Sequence, residues 1–393
     1  MAKDIKMGID IGSSKIMVVL GYFTEYNKWK IIDLERIPSK GVLRGEVTDV
    51  QSVVRCIKQA LKKIQGRGNA IPKVANICIG GQHTKNTKRS SYSKFDVNTI
   101  FTDSHYEDLK GRSDSVVKDK EEENFLVLPM GLRIDRGSYI KDGRGKEGKI
   151  FGATFNVVYG KAFSLNRLKE SIFGCGLKVN EIQLKPVAIA NSVLTHEEKR
   201  EGVALVDIGA GTTSIIIYEN DILRHVAIIP FGGNTVTTDI VKRFKLSPVD
   251  AEIIKCKSGS AYASVTSDEI EMYTGRAEII NYNTKELSTV IQCRMEEIVD
   301  SIIFQIQTSE FKNKLKSGIV LTGGTSSVRD FKELVNKKSG MKTRLGYVNN
   351  DIVEGDSIDD LSYTTAIGAM ICADSKKVSK TEGLKKIFTG IFK

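Results

Sequence analysis

Two aspartates, each set one residue before a glycine turn, are the residues of this 393-residue chain best suited to chemistry. Met7-Gly8-Ile9-Asp10-Ile11-Gly12-Ser13-Ser14 carries the first, and Leu205-Val206-Asp207-Ile208-Gly209-Ala210-Gly211-Thr212-Thr213 carries the second. Both copies run an apolar strand into Asp-Ile-Gly, pass through small hydroxyl or glycine residues, and enter a second β-branched run at 16–20 and 215–218. Each reads as a β-hairpin whose tight turn exposes backbone N–H groups beside one fixed carboxylate. A concave row of N–H groups binds anions. Two such turns on one chain could grip a polyphosphate from both sides, with Asp10 and Asp207 facing its metal ion.

The elements that would hold these turns follow from periodicity. Strands are expected at 7–10, 15–20 and 29–36, then a helix whose stripe is Val47, Val50, Val53, Val54, Ile57, Leu61 and Ile64. A strand at 74–79 ends in Gly80-Gly81, and this succession indicates an α/β lobe. From Gln82 to Tyr159 the texture turns polar and charge-dense, with short strands at 124–128 and 150–158 around a charged stretch that could be helical, which suggests a small inserted subdomain. A helix at 164–173, a strand at 178–184 and a helix at 187–194 lead into the second aspartate turn. A strand at 222–229 and the turn Phe231-Gly232-Gly233-Asn234 follow it. Ser247-Pro248-Val249-Asp250 caps a helix that sets Glu252 and Lys255 on one face. The clearest helix carries Leu287, Val290, Ile291, Met295, Ile298, Val299, Ile302, Ile303 and Ile306, a core stripe. A buried strand then ends in Thr322-Gly323-Gly324-Thr325, expected to meet a helix N-terminus, a ligand-facing arrangement.

Length and composition limit the function classes. The chain is longer than one core usually supports, so two lobes are expected. No run of about 18 apolar residues is present, and the N-terminus runs directly into a strand, predicting no signal peptide. Six scattered cysteines and four isolated histidines predict reduced thiols, a cytosolic compartment and no zinc site. The net charge of +11 is diffuse, without a nucleic-acid-binding motif, so no nucleic-acid partner is expected.

The chain end is different in character. Leu384, Ile387, Phe388, Ile391 and Phe392 fall at helical spacing, Lys385, Lys386 and Lys393 flank that face, and a polar linker at 374–382 precedes it. This pattern predicts an interfacial helix on an anionic membrane surface. Its five apolar side chains, at roughly 1.5–3 kcal/mol each if fully buried, must offset about 1–2 kcal/mol of ordering per residue. One tail therefore binds weakly, and a row of subunits would bind by avidity.

Together these residues resemble the actin/sugar-kinase/heat-shock-chaperone ATPase superfamily and, more narrowly, the FtsA family of bacterial division proteins. The stretches that carry the resemblance are 8–15, 39–45, 79–83, 175–179, 206–213, 229–234, 250–255 and 318–325, in matching order and spacing. The resemblance implies a two-lobed actin-like ATPase fold of duplicated ribonuclease H-like domains, with an α+β subdomain inserted in the first lobe. The expected division is 1–82, 163–198 and 359–373 for the first lobe, with 83–162 inserted. The second lobe would take 199–238 and 315–358, with its small subdomain at 239–314. The implied ligand is ATP with Mg²⁺. Asp10 and Asp207 would face the metal through water, Gly12, Ser13, Ser14 and Lys15 would hold phosphates from one side, and Gly209, Gly211, Thr212 and Thr213 from the other. Gly233 and Asn234 join the nucleotide site, Glu252 and Lys255 would reach the ribose, and Gly323, Gly324 and Thr325 would pack beside adenine. Actin's water-orienting glutamine has only Asn191 or Ser192 as its nearest counterpart, implying at most slow hydrolysis. The family further implies self-association into filaments, attachment to the cytoplasmic face of the membrane at the septum, other division partners, and an FtsZ C-terminal peptide met by Lys285 and Arg294. The alternatives are a pilus-assembly protein of the same fold or a kinase-type or ATPase enzyme.

Overall fold

The computed structural model describes residues 4–114, 119–275, 279–354 and 358–371. The expected linker and the terminal helix with Leu384, Lys385, Lys386, Ile387, Phe388, Ile391 and Phe392 lie outside the described residues.

Two sheets with one topology organise the molecule. In the first lobe, strand Lys6–Ile11 pairs antiparallel with Lys15–Phe23, and that strand pairs antiparallel with Trp29–Pro38. On its other side Lys6–Ile11 pairs parallel with Val74–Ile79, which pairs parallel with Lys178–Leu184. In the second lobe, Val203–Ile208 pairs antiparallel with Thr213–Glu219, and that with Ile222–Ile229. Ile319–Thr322 lies parallel on the other side, followed by Thr343–Leu345. The strand order is thus 3-2-1-4-5 in both lobes, apart from a two-residue edge strand, Val353–Glu354, added to the first. Near-continuous apolar runs such as Val203–Ile208, buried at every position, are what a sheet covered on both faces requires.

Helices supply that cover. On one face of the first sheet, Val53, Ile57, Ala60 and Ile64 of helix Val50–Gly66 pack against Ile9, Ile16, Val18 and Leu20. On the other, Ala366, Ile367 and Met370 of helix Thr364–Ile371 meet Met17 and Val19. The second lobe is built around helix Thr284–Thr308. It buries Leu287, Ile291, Met295, Ile298, Val299, Ile302 and Ile306, most of the expected stripe, each worth about 1.5–3 kcal/mol when fully buried. Val290 and Ile303 of that stripe are half-buried at its margin.

The inserted subdomain in the first lobe is larger in strand content than its sequence suggests. Strands Lys85–Ile100, Glu122–Ile134 and Glu147–Lys161 form an antiparallel sheet, the last in the middle, and helix Asp103–Asp114 closes a core of Phe101, Leu109, Leu132, Phe151 and Phe155. The polar strand Lys85–Ile100 was not expected. It is an edge strand with mostly exposed side chains, held by its backbone ladder to Glu147–Lys161, so hydrophobic periodicity does not mark it. Another difference lies after Gly323-Gly324. A single 3₁₀ turn, Gly324–Ser327, follows, and the α-helix begins only at Phe331. The double glycine therefore faces the cleft as a turn, not as an α-helix N-terminus. Among the described residues, no helix is long and apolar enough to cross a membrane.

Candidate functional site

The equal topology of the lobes places their first hairpins face to face. Asp10 and Asp207 hold the same position, the second-last residue of each first strand. Both turns close on the same hydrogen bond, Gly12 N–H to Lys15 O at 3.1 Å and Gly209 N–H to Thr212 O at 2.9 Å. Between them lies a cleft of about 300 Å³.

Most of the expected residues line this cleft. Asp10, Gly12, Ser13, Ser14 and Lys15 come from the first lobe, and Asp207, Gly209, Gly211, Thr212, Gly233, Glu252, Lys255, Gly323, Gly324 and Thr325 from the second. The turns also touch one another. A Cβ on Gly211 would stand 2.5 Å from Ser13 Oγ and 2.8 Å from Arg44 Cα, so this close approach needs glycine. Gly323 adopts φ +84°, and a Cβ there would meet Asp207 Oδ1 at 2.3 Å. Ser13 Oγ accepts the Gly45 N–H at 2.8 Å, while Thr325 Oγ1 donates to Gly209 O at 2.9 Å, so each turn is braced from within its own lobe.

Three expected residues have a different task. Thr213 is fully buried and donates its hydroxyl to Phe231 O at 2.9 Å, and Asn234 donates its backbone N–H to Ala210 O at 2.8 Å. Neither is among the cleft-lining residues; both brace the second turn from behind. Lys255 does line the cleft, but its ammonium is buried and spends its three donors on Glu252 Oε2 at 2.6 Å, Thr237 Oγ1 at 2.9 Å and Gly233 O at 3.3 Å. Of that pair, Glu252 keeps 44% of its side chain exposed and is the better placed to meet a ligand. Burial pushes the Glu252 carboxyl up, but Lys255 and Thr237 outweigh it and hold it below its usual value.

Asn191 and Ser192 are not at the cleft. Asn191 accepts from Lys199 Nζ at 3.2 Å, and buried Ser192 donates to the backbone of Ile189 and Thr364. Their helix instead sends in Lys185 from its first residue, since it starts two positions earlier than expected. Lys185 Nζ lies 3.1 Å from Asp207 Oδ2, an ion pair whose side chains are 17% and 3% exposed. Burial disfavours the Lys185 charge, but Asp207 and then Asp10 more than restore it, leaving its pKa raised. Asp10 is raised mainly by burial, against the pull of Lys185. Lys15, crossing toward Gly324, is lowered chiefly by burial. Sequence reasoning also missed Cys256, Lys257, Arg329, Ser362 and Thr365 in the lining. Gly45 and Gly80 lie within stretches that carried the resemblance, the one signal that could have found them.

The cleft counts five cations, Lys15, Lys185, Lys255, Lys257 and Arg329, against three carboxylates, Asp10, Asp207 and Glu252. With glycine turns lining both walls, this chemistry suits a polyphosphate. A divalent cation is less fully provided for. Among the described residues, no group of three or more His, Cys, Asp or Glu could hold a metal. Asp10 and Asp207 are oxygen donors of the kind Mg²⁺ takes, so they fit a metal that draws its other ligands from water and phosphate.

Residues 204–368 match the family model described as Cell division protein FtsA. The cell division protein FtsA of Neisseria meningitidis serogroup B is 29% identical over 378 residues, 93% of this chain and 89% of that protein. That of Escherichia coli K12 is 28% identical over 379 residues, 94% of this chain and 90% of its own. Among solved structures, the PilM-PilN type IV pilus biogenesis complex superposes with TM-score 0.66 at 15% identity, over 94% of this chain and 96% of that one. MreB5 of Spiroplasma citri bound to ADP gives TM-score 0.58 at 13% identity, over 96% and 98%. At such identity these two share the fold, the actin-like one.

Proposed function

Starting from the likeness to FtsA division proteins along more than nine-tenths of the chain, we propose that it is an ATP-binding, membrane-attached division protein that assembles into filaments and anchors FtsZ polymers at the septum. The observation that carries this reading is the cleft, where glycine turns from both lobes face each other across a cation-rich gap. The solved MreB5 relative was crystallised with ADP. In this chain the turn N–H groups that follow Gly12 and Gly209 would bind the phosphates, those two glycine N–H groups being used to close the turns, and Lys15 would close over them from the first lobe. Gly323, Gly324 and Thr325 would pack beside the base, and Glu252 would accept from the ribose. Mg²⁺, when bound, supplies charge neutralisation between phosphates and the carboxylates Asp10 and Asp207.

Nucleotide serves here as a switch. Among the described residues, the cleft lining contains no glutamine to orient water, so at most slow hydrolysis is expected. Binding joins the two lobes, and lobe closure sets the surfaces available for subunit contact. The basic terminal helix, too short to hold one subunit firmly, anchors a filament through many weak contacts on the cytoplasmic membrane face. That tail, and greater identity to division proteins than to the pilus protein, favour this reading over a pilus-assembly role.

An FtsZ C-terminal peptide would dock on the small subdomain of the second lobe near Lys285 and Arg294. Arg294 is engaged by Asp239 at 2.6 Å and by Glu297, and Lys285 lies 3.8 Å from Asp268. An acidic peptide would therefore compete with the protein's own carboxylates, which predicts weak binding. Arg294→Glu should weaken that peptide further.

Co-sedimentation with anionic liposomes tests the proposal. Wild type with ATP should pellet in a concentration-dependent manner, and Phe388→Glu should remain in the supernatant. Equal pelleting of both proteins would remove the tail from the account.

A further inference from the structure

Lys185 has no place in the expected site, yet it lines the cleft and pairs with one of its two aspartates. Its aliphatic stem passes over Gly80, where an added Cβ would lie 3.0 Å from Lys185 Cβ. Its Nζ comes within 3.8 Å of the Cβ position of Gly209, beneath the second phosphate-facing turn. There it pairs with Asp207 Oδ2 at 3.1 Å, and its charge interacts favourably with Asp10 as well. Pro186, next in sequence at the first turn of the helix, fixes the backbone that carries it.

An ammonium paired with Asp207, with Asp10 as its second charged neighbour, sets a fixed cation at the carboxylates that would otherwise face a divalent ion. In polyphosphate sites that ion screens phosphate charge from the protein's acidic groups. Here one of the two aspartates is already neutralised by a group that cannot diffuse away. An ammonium offers three donors, and Asp207 Oδ2 takes one direction of approach, leaving others for phosphate oxygens over the Gly209–Thr212 turn. The aliphatic packing on Gly80 and the ion pair preorganise it, so little ordering is needed on binding.

We infer that Lys185 acts as a built-in cation of the polyphosphate site, making nucleotide binding by this chain largely independent of divalent metal. The inference rests on the proposed nucleotide reading of the cleft. It adds a property that the two aspartates alone would not give, because without Lys185 their charges would oppose a metal-free polyphosphate. Lys185 is a binding residue in this role.

The test is equilibrium binding of ATP to the full chain in excess Mg²⁺ and in EDTA, for wild type, Lys185→Gln and Lys185→Arg, with melting temperatures recorded alongside. Wild type should change affinity by less than about threefold between the two conditions, and Lys185→Arg should behave likewise. Lys185→Gln should lose roughly tenfold or more in EDTA, the scale of a hydrogen bond to a charged group, and regain part of it with Mg²⁺. Wild-type binding that collapses in EDTA would overturn the inference while leaving the nucleotide reading intact, and this outcome needs no variant to fold. Tighter ATP binding by Lys185→Gln in both conditions would also overturn it, marking Lys185 as a competitor. Absence of ATP binding by wild type in either condition would instead remove the nucleotide reading, and this inference with it.

Discussion

The two lobes repeat one strand order and one turn, yet their aspartates sit in unlike surroundings. Asp207, 3% exposed, is paired with Lys185, whereas Asp10, 9% exposed, faces that same cation as a second neighbour and is kept high by burial. The first-lobe turn follows its glycine with Ser13, Ser14 and Lys15, side chains that can act on a ligand. The second follows its glycine with Ala210, Gly211 and Thr212 and is braced from behind by Thr213, Asn234 and Thr325. The duplicated fold thus gives one turn rich in side chains that can meet a ligand and one built mainly of backbone and braced by several side-chain and backbone hydrogen bonds. The difference teaches that position in a repeat does not fix role; the neighbours that the rest of each lobe brings beside the turn do.

Breaking this asymmetry should have graded effects. The largest is expected from Asp207→Asn, which leaves the Lys185 ammonium buried without its partner. Removing one member of a buried pair costs about 3–5 kcal/mol, so urea unfolding should show a loss of that order. Asp10→Asn should cost far less, since it removes a carboxylate whose burial is poorly compensated. Comparable losses for the two variants would make the lobes equivalent after all.

Next comes Gly211→Val. Its side chain would collide with Ser13 and Arg44 across the cleft and hold the lobes apart. ATP affinity should fall by about two orders of magnitude, the ~2.7 kcal/mol corresponding to roughly 100-fold, with a modest change in melting temperature. Gly66→Ala is the control, because its Cβ would meet no atom within 4 Å and the residue lies outside the cleft lining.

A smaller effect separates the carboxylates by pH. Asp10 is raised in the folded state, so the folded chain holds a proton that the unfolded chain releases. Its contribution is therefore favourable at low pH and is lost as pH rises from the usual carboxylate range through the raised value. Glu252 is lowered, so its stabilisation is present above the usual range and is lost as pH falls through the lowered value. Unfolding free energies across the acidic range should therefore respond with opposite slopes to Asp10→Asn and Glu252→Gln. The Glu252 change should be the lesser, since its half-exposed carboxylate is screened by solvent.

How much of this was legible beforehand depended on whether a residue's role lay in local pattern. Both hairpins and the Thr284–Thr308 helix were readable because β-branched alternation and a 3–4 apolar stripe are local signals. The strand Lys85–Ile100 was not, since its residues are polar and its pairing partner lies some sixty residues away in sequence. In the site, the turn residues were legible from repetition, but Thr213 and Asn234 were placed one layer too far forward. A sequence shows adjacency to a turn, not which way a side chain points. Lys185 was hidden altogether: a lone lysine before proline at a helix start carries no signal until the second lobe brings Asp207 beside it.

Calorimetric titration of the full chain with ATP is the most direct test of the central claim, that the gap between the two aspartate turns is a nucleotide site. The account predicts saturable binding at one site per chain, weakened by about two orders of magnitude in Gly211→Val and retained in Gly66→Ala. No heat of binding, or equal binding by wild type and Gly211→Val, would contradict it.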